Sequence, residues 1–147
     1  MEQIYPYVQI VHLICAIIFL GYIFFDVVIF SRLKSALGAD FKRVKKAIGS
    51  RAIKIMPVCL FTLIITGGMM MSRWVGSANG GYFGTPLQKI FMLKAALALI
   101  IAVCVAINLS CRAMGRPAPE FLRANIHKIA FVFGFIIVLC AKLMFVV

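Results

Sequence analysis

Residues 9–26 read QIVHLICAIIFLGYIFFD, an apolar run that holds an imidazole, His12, near one end and a carboxylate, Asp26, at the other. A histidine in such a run can offer a neutral ring nitrogen to a metal or carry a proton. A carboxylate there must find a cation or give up its charge. Three other places invite chemistry. Lys94 interrupts the run MLKAALALIIA, the stretch GGMMM at 67–71 gathers thioethers with Met69 and Met70, and His127 and Lys128 open the last apolar run. Soft thioethers with an imidazole suit Cu(I) or a heme iron. The cysteines say less. Cys15, Cys59, Cys104, Cys111 and Cys140 are scattered, odd in number and free of any CxxC pair, which argues against a zinc ribbon or a disulfide framework.

The elements that position these groups must be membrane spans. The chain has 147 residues, is 64% hydrophobic and carries a formal charge of +12, with Glu2, Asp26, Asp40 and Glu120 as its acids. Its mean hydropathy is +1.07, too apolar for an ordinary soluble domain. The basic residues lie in loops between apolar runs and no nucleic-acid-binding module is present, so nucleic acid is not the expected partner. A spanning helix needs about 20 apolar residues. Four segments qualify, at about 7–30, 53–71, 87–109 and 126–146, which predicts a single all-α domain over 1–147, an integral membrane antiparallel four-helix bundle. The first is no cleaved signal peptide, being too long and lacking a basic leader. Pro57 is expected in the first turn of the second span, where its missing N–H does least harm.

Charge orients the spans. The first loop holds Arg32, Lys34, Lys42, Arg43, Lys45, Lys46 and Arg51, and the third holds Arg112, Arg116 and Arg123. The second, SRWVGSANGGYFGTP, has only Arg73. The positive-inside bias then puts the first and third loops in the cytoplasm and both termini in the periplasm of a bacterial inner membrane. Part of the first loop, DFKRVKKAIGSRAIK, has helical apolar spacing and reads as an extension of the second span, or else as a surface-lying amphipathic stretch.

On a 3.6-residue repeat, Tyr5, Gln9, His12, Cys15, Tyr22 and Asp26 fall within about 140° of one another. Lipid cannot satisfy such groups, so this stripe is expected to face the bundle. By depth, His12 joins Lys94, Met69, Met70, Met71, Met92, Cys140, Lys142 and Met144 on the outer side. Asp26 joins Asn108, His127, Lys128 and Lys54 on the inner side, where it is expected to pair with Lys54, Lys128 or His127 and could relay charge or protons. The two histidines cannot share one iron within a chain. Their axial gap is roughly 15–20 Å, against about 4 Å for two nitrogens on one metal. If both histidines bind metal, they bind different metals or pair with ligands from another subunit.

The segments HLICAIIFLGYIFF, RAIKIMPVCLFTLIITGG and MLKAALALIIA resemble the bacterial HemJ-type protoporphyrinogen oxidases and the related copper-resistance D (CopD) membrane domains. The match carries over to His12, Gly67 and Lys94. Phe19 stands where the HemJ type has tryptophan, and Val27 and Val28 stand where it has a Pro-Arg pair. The resemblance implies a membrane protein that binds heme b, or one that handles copper, with an oxidoreductase activity of the protoporphyrinogen oxidase kind.

The leading expectation is therefore a heme-b-binding bundle in which His12 is an axial ligand, serving electron transfer or porphyrin oxidation. Met69, Met70, Met92 or a residue of a second copy in a homodimer would fill the other axial position. Lys94 and Arg73 would neutralise the propionates. A redox partner or quinone would be required, and these residues do not specify it. Copper transport or sensing through the same His/Met/Cys set is the alternative, and a cofactor-free assembly factor is the third reading.

Overall fold

The computed structural model describes residues 3–146; Met1, Glu2 and Val147 lie outside the described residues. Those described are helical almost throughout, and the only strand-like pairing among them is an isolated antiparallel bridge between Gly76 and Gly81. Helix α1 spans Tyr5–Phe24 and opens on a proline in its first turn, where φ is already preset and no N–H is needed. It runs into a π-helical turn, Phe25–Ile29, then a 3-10 turn, Phe30–Leu33, and a short helix α2, Lys34–Leu37. Gly38, at φ +51°, reverses the chain in a conformation that side chains with a Cβ resist. Helix α3, Phe41–Met71, follows, then α4, Pro86–Ala113, and α5, Glu120–Leu143.

Among the described residues, three helical stretches are long and apolar enough to cross a membrane: Tyr5–Met71, Pro86–Ala113 and Glu120–Leu143. The first is not one rod, because it folds at Gly38 so that α1 packs along α3. Helix α4 packs along α5, α1 also meets α5, and α3 also meets α4. Phe19, Ile23, Cys59, Leu60, Ile101 and Ala130, drawn from all four long helices, form the main core. A second core of Val75, Phe91 and Met144 lies at the α3–α4 loop, with Met71, Ile90 and Met92 packed on it.

Large apolar side chains cover the outside as well. Ile10, Leu13, Ile14 and Ile17 of α1, Val58 and Phe61 of α3, Leu99 and Val103 of α4, and Val132 and Phe135 of α5 are all exposed. Water does not tolerate apolar surface on this scale, whereas hydrocarbon does, and helices satisfy their own backbone there. The chain is a helical membrane protein.

Helix α3 is a single helix of 31 residues, about 45 Å long, so the basic stretch before residue 53 extends the second long apolar helix, the first of its two readings, and is not a separate surface helix. Pro57 therefore lies in the helix interior and not in a first turn, and its ring deprives the Ile53 carbonyl of its donor. The helix ends are distinct from the span ends read from hydropathy: α1 gives way to a π turn at Phe25, and α5 runs from Glu120 to Leu143.

The glycine-rich connection before α4 is held by Gln88, which is 3% exposed. Its Oε1 accepts from the Gly84 and Thr85 N–H groups at 2.9 and 3.2 Å, and its Nε2 donates to the Asn79 carbonyl at 2.8 Å. Thr85 Oγ1 accepts from the Gln88 N–H at 3.2 Å, which completes a capping box at the start of α4.

Candidate functional site

The polar stripe of α1 divides into two sites. Tyr5, His12, Cys15, Tyr22 and Asp26 are half-buried, and Phe19 and Ile23 between them are buried, so that face of α1 turns into the protein. Gln9 departs from the expectation and is exposed.

At the first site, His12 Nδ1 lies 2.8 Å from Thr66 Oγ1. Thr66 is 7% exposed, and its hydroxyl is 2.6 Å from the Thr62 carbonyl one turn earlier in α3. A hydroxyl has one proton, and two oxygens approach this closely only with that proton between them. Thr66 therefore donates to Thr62 and accepts from His12 Nδ1–H. This fixes the neutral tautomer of His12 and leaves the lone pair on Nε2. Gly67 makes the approach possible, because a Cβ there would stand 3.3 Å from His12 Cε1.

The other expected members of this site are distributed unevenly. Lys94 lies within electrostatic reach of both His12 and Cys140. Its Nζ donates toward Met144 Sδ at 3.8 Å and sits 4.8 Å from the centre of the Phe91 ring. No carboxylate among the described residues pairs with it. The Arg73 guanidinium lies 4.6 Å from the centre of the Tyr5 ring, and Tyr5 Oη accepts from Trp74 Nε1 at 3.4 Å. Met69 is exposed, Met70 is half-buried, and Met92 packs on the second core beside Met144. Among the described residues no three His, Cys, Asp or Glu side chains converge on one point.

The second site lies at the other end of α1. His127 Nδ1–H donates to the Asp26 carboxylate, joining α5 to the π turn after α1. The Tyr22 ring meets the His127 ring edge-on, with centroids 5.9 Å apart. Lys54 and Lys128 are exposed and leave Asp26 to His127. The π turn adds a residue to the helical repeat at this point, and such turns often accompany polar sites. The Asp26 side chain is 15% exposed and that of His127 is 39% exposed. Partial access to solvent screens the pair, so Asp26→Asn should cost about 1–2 kcal/mol. Thermal unfolding of the purified variant checks this, and an unchanged Tm would mean that the pair adds nothing to the α1–α5 contact.

Thr66 carried no recognisable signal in the sequence, since a threonine in a span commonly bonds to its own helix. Its role emerges only when α1 is laid against α3. No family profile, curated protein or solved structure matches the chain.

Proposed function

We propose that the chain is an antiparallel four-span bundle of a bacterial inner membrane that binds heme b through His12 Nε2, near the periplasmic side, and serves electron transfer or porphyrin oxidation of the HemJ kind. The observation that carries this reading is the Thr62–Thr66–His12 chain of hydrogen bonds. It spends the Nδ1 proton on a buried threonine and leaves the other ring nitrogen free as a ligand.

The fold supports the span count. Gly38 reverses the chain so that α1 packs along α3, and the six residues between α4 and α5 favour an antiparallel pair there. The basic first and third loops support cytoplasmic placement of that face, with both termini on the other side.

Bound iron porphyrin would supply one-electron chemistry. The residues of the chain would hold and tune it. Thr66 orients the ligand ring, Gly67 gives it room against α3, and Lys94 and Arg73 would offset the propionate charges. Met69, Met70 or Met92, or a residue of a second copy of the chain, would be the other candidates to hold the porphyrin.

Thr66→Val keeps the shape and removes the acceptor, and should weaken heme binding about 10–100-fold. Thr66→Ser restores the acceptor and should bind nearly as wild type. A heme titration of the three proteins, followed by absorbance, decides it: equal affinity for the valine and serine variants would remove the support for His12 as an oriented ligand. A colourless preparation that carries copper would favour the copper reading. A preparation with neither would leave the cofactor-free assembly factor.

A further inference from the structure

The polar half of α3 bears an open groove of about 530 Å³ that the heme site does not use. Tyr22 of α1 forms one wall. Ala47, Ile48, Arg51, Ala52, Ile55 and Met56 of α3 form the rest. Their spacing places them on one stripe of the helix, and the two alanines leave the space that larger side chains would fill. The lining is largely apolar, and its one charge is the Arg51 guanidinium, for which no hydrogen bond or ion pair is formed among the described residues.

Nothing nearby neutralises this charge. Lys42, Lys46 and Lys54 on the same helix are exposed and also without an acidic partner among the described residues. The two acids of this region are already engaged: Asp40 with Arg43 at 3.3 Å, and Asp26 with His127. Depth matters too. Arg51 stands 20 residues before Met71, the last residue of α3. At about 1.5 Å per residue that is about 30 Å, the thickness of the hydrocarbon core. With Met71 at one boundary, Arg51 reaches the headgroup level of the other.

We propose that this groove binds one anionic phospholipid, its phosphodiester on the Arg51 guanidinium and an acyl chain along Ala52, Ile55, Met56 and Tyr22. A guanidinium fork matches the phosphate geometry. The surrounding lysines attract net negative charge and oppose the cation of a choline headgroup, which selects anionic over zwitterionic lipid. The proposal does not depend on heme.

The test measures lipid retained per protein, by mass spectrometry, after equilibration in micelles doped with phosphatidylglycerol or with phosphatidylcholine. Wild type should retain about one phosphatidylglycerol and much less phosphatidylcholine. Arg51→Gln should lower phosphatidylglycerol retention about tenfold, while Lys34→Gln, outside the groove, should leave it unchanged. Ala47→Leu keeps every charge and fills the groove, and should also lower retention, which covers the case in which Arg51→Gln fails to fold. Equal retention of the two lipids, full retention by Arg51→Gln or by Ala47→Leu, or displacement of the lipid by excess inorganic phosphate would each overturn the proposal.

Discussion

Replacing His12 by alanine is expected to leave a protein that inserts and folds but holds little or no heme. The side chain is half-buried on α1, and the Thr66 hydroxyl that it meets retains the Thr62 carbonyl when the ring is gone. Little of the core depends on it. The buried residues that join the four long helices, Phe19, Cys59, Ile101 and Ala130 among them, are untouched. The ligand nitrogen is lost outright, so heme content should fall further than the roughly 10–100-fold expected for losing an orienting partner. His127→Ala should retain most of the heme, because His127 is tied to Asp26 at the opposite end of α1. Heme per protein by alkaline pyridine assay, with circular dichroism as the folding control, reads both variants. Full heme content in His12→Ala would reduce His12 to a packing residue.

The second large effect is expected at Gly134. Helix α5 presses on α1 so closely there that even a Cβ would overlap Leu20 Cδ2. Alanine can be accommodated if the end of the Leu20 side chain swings away. Leucine cannot, and overpacking of this kind costs about 1–3 kcal/mol or more. Gly134→Leu should therefore lower Tm strongly and loosen α5 from α1, with loss of the Asp26–His127 contact. Leu20→Ala opens the space from the other side, so the double variant Leu20→Ala/Gly134→Leu should recover much of the loss. Two penalties that simply add in the double variant would show that the residues do not meet.

What the sequence revealed follows from which forces act locally. Long apolar runs announce the helices because bilayer thickness sets their length, and the all-helical membrane character was legible from them. The inward face of α1 was legible from the spacing of Tyr5, His12, Cys15, Tyr22 and Asp26, since lipid leaves polar groups one direction to point. Asp26 had three candidate cations by depth, and only the packing of α5 on α1 singles out His127. Other features depend on crossing geometry or on cooperative local structure that periodicity does not encode. Thr66 looks the same whether its hydroxyl serves only its own helix or also accepts from a neighbour. Gly134 looks like any glycine until Leu20 is placed against it. The apolar spacing before residue 53 did suggest that α3 extends back, but not that Pro57 would then be tolerated in a helix interior, where packing along α1 outweighs the one hydrogen bond that proline removes. Gln88 reads as a polar residue near an interface, yet it organises the whole connection before α4.

The claim that His12 Nε2 is a heme ligand is tested most directly by the absorption spectrum of the purified wild-type protein, produced in bacterial membranes with ample heme supply. A red preparation is predicted, with a Soret band that shifts on reduction and sharpened bands in the visible, at a stoichiometry near one heme per chain or per pair of chains. A colourless preparation that stays colourless after titration with heme would contradict it.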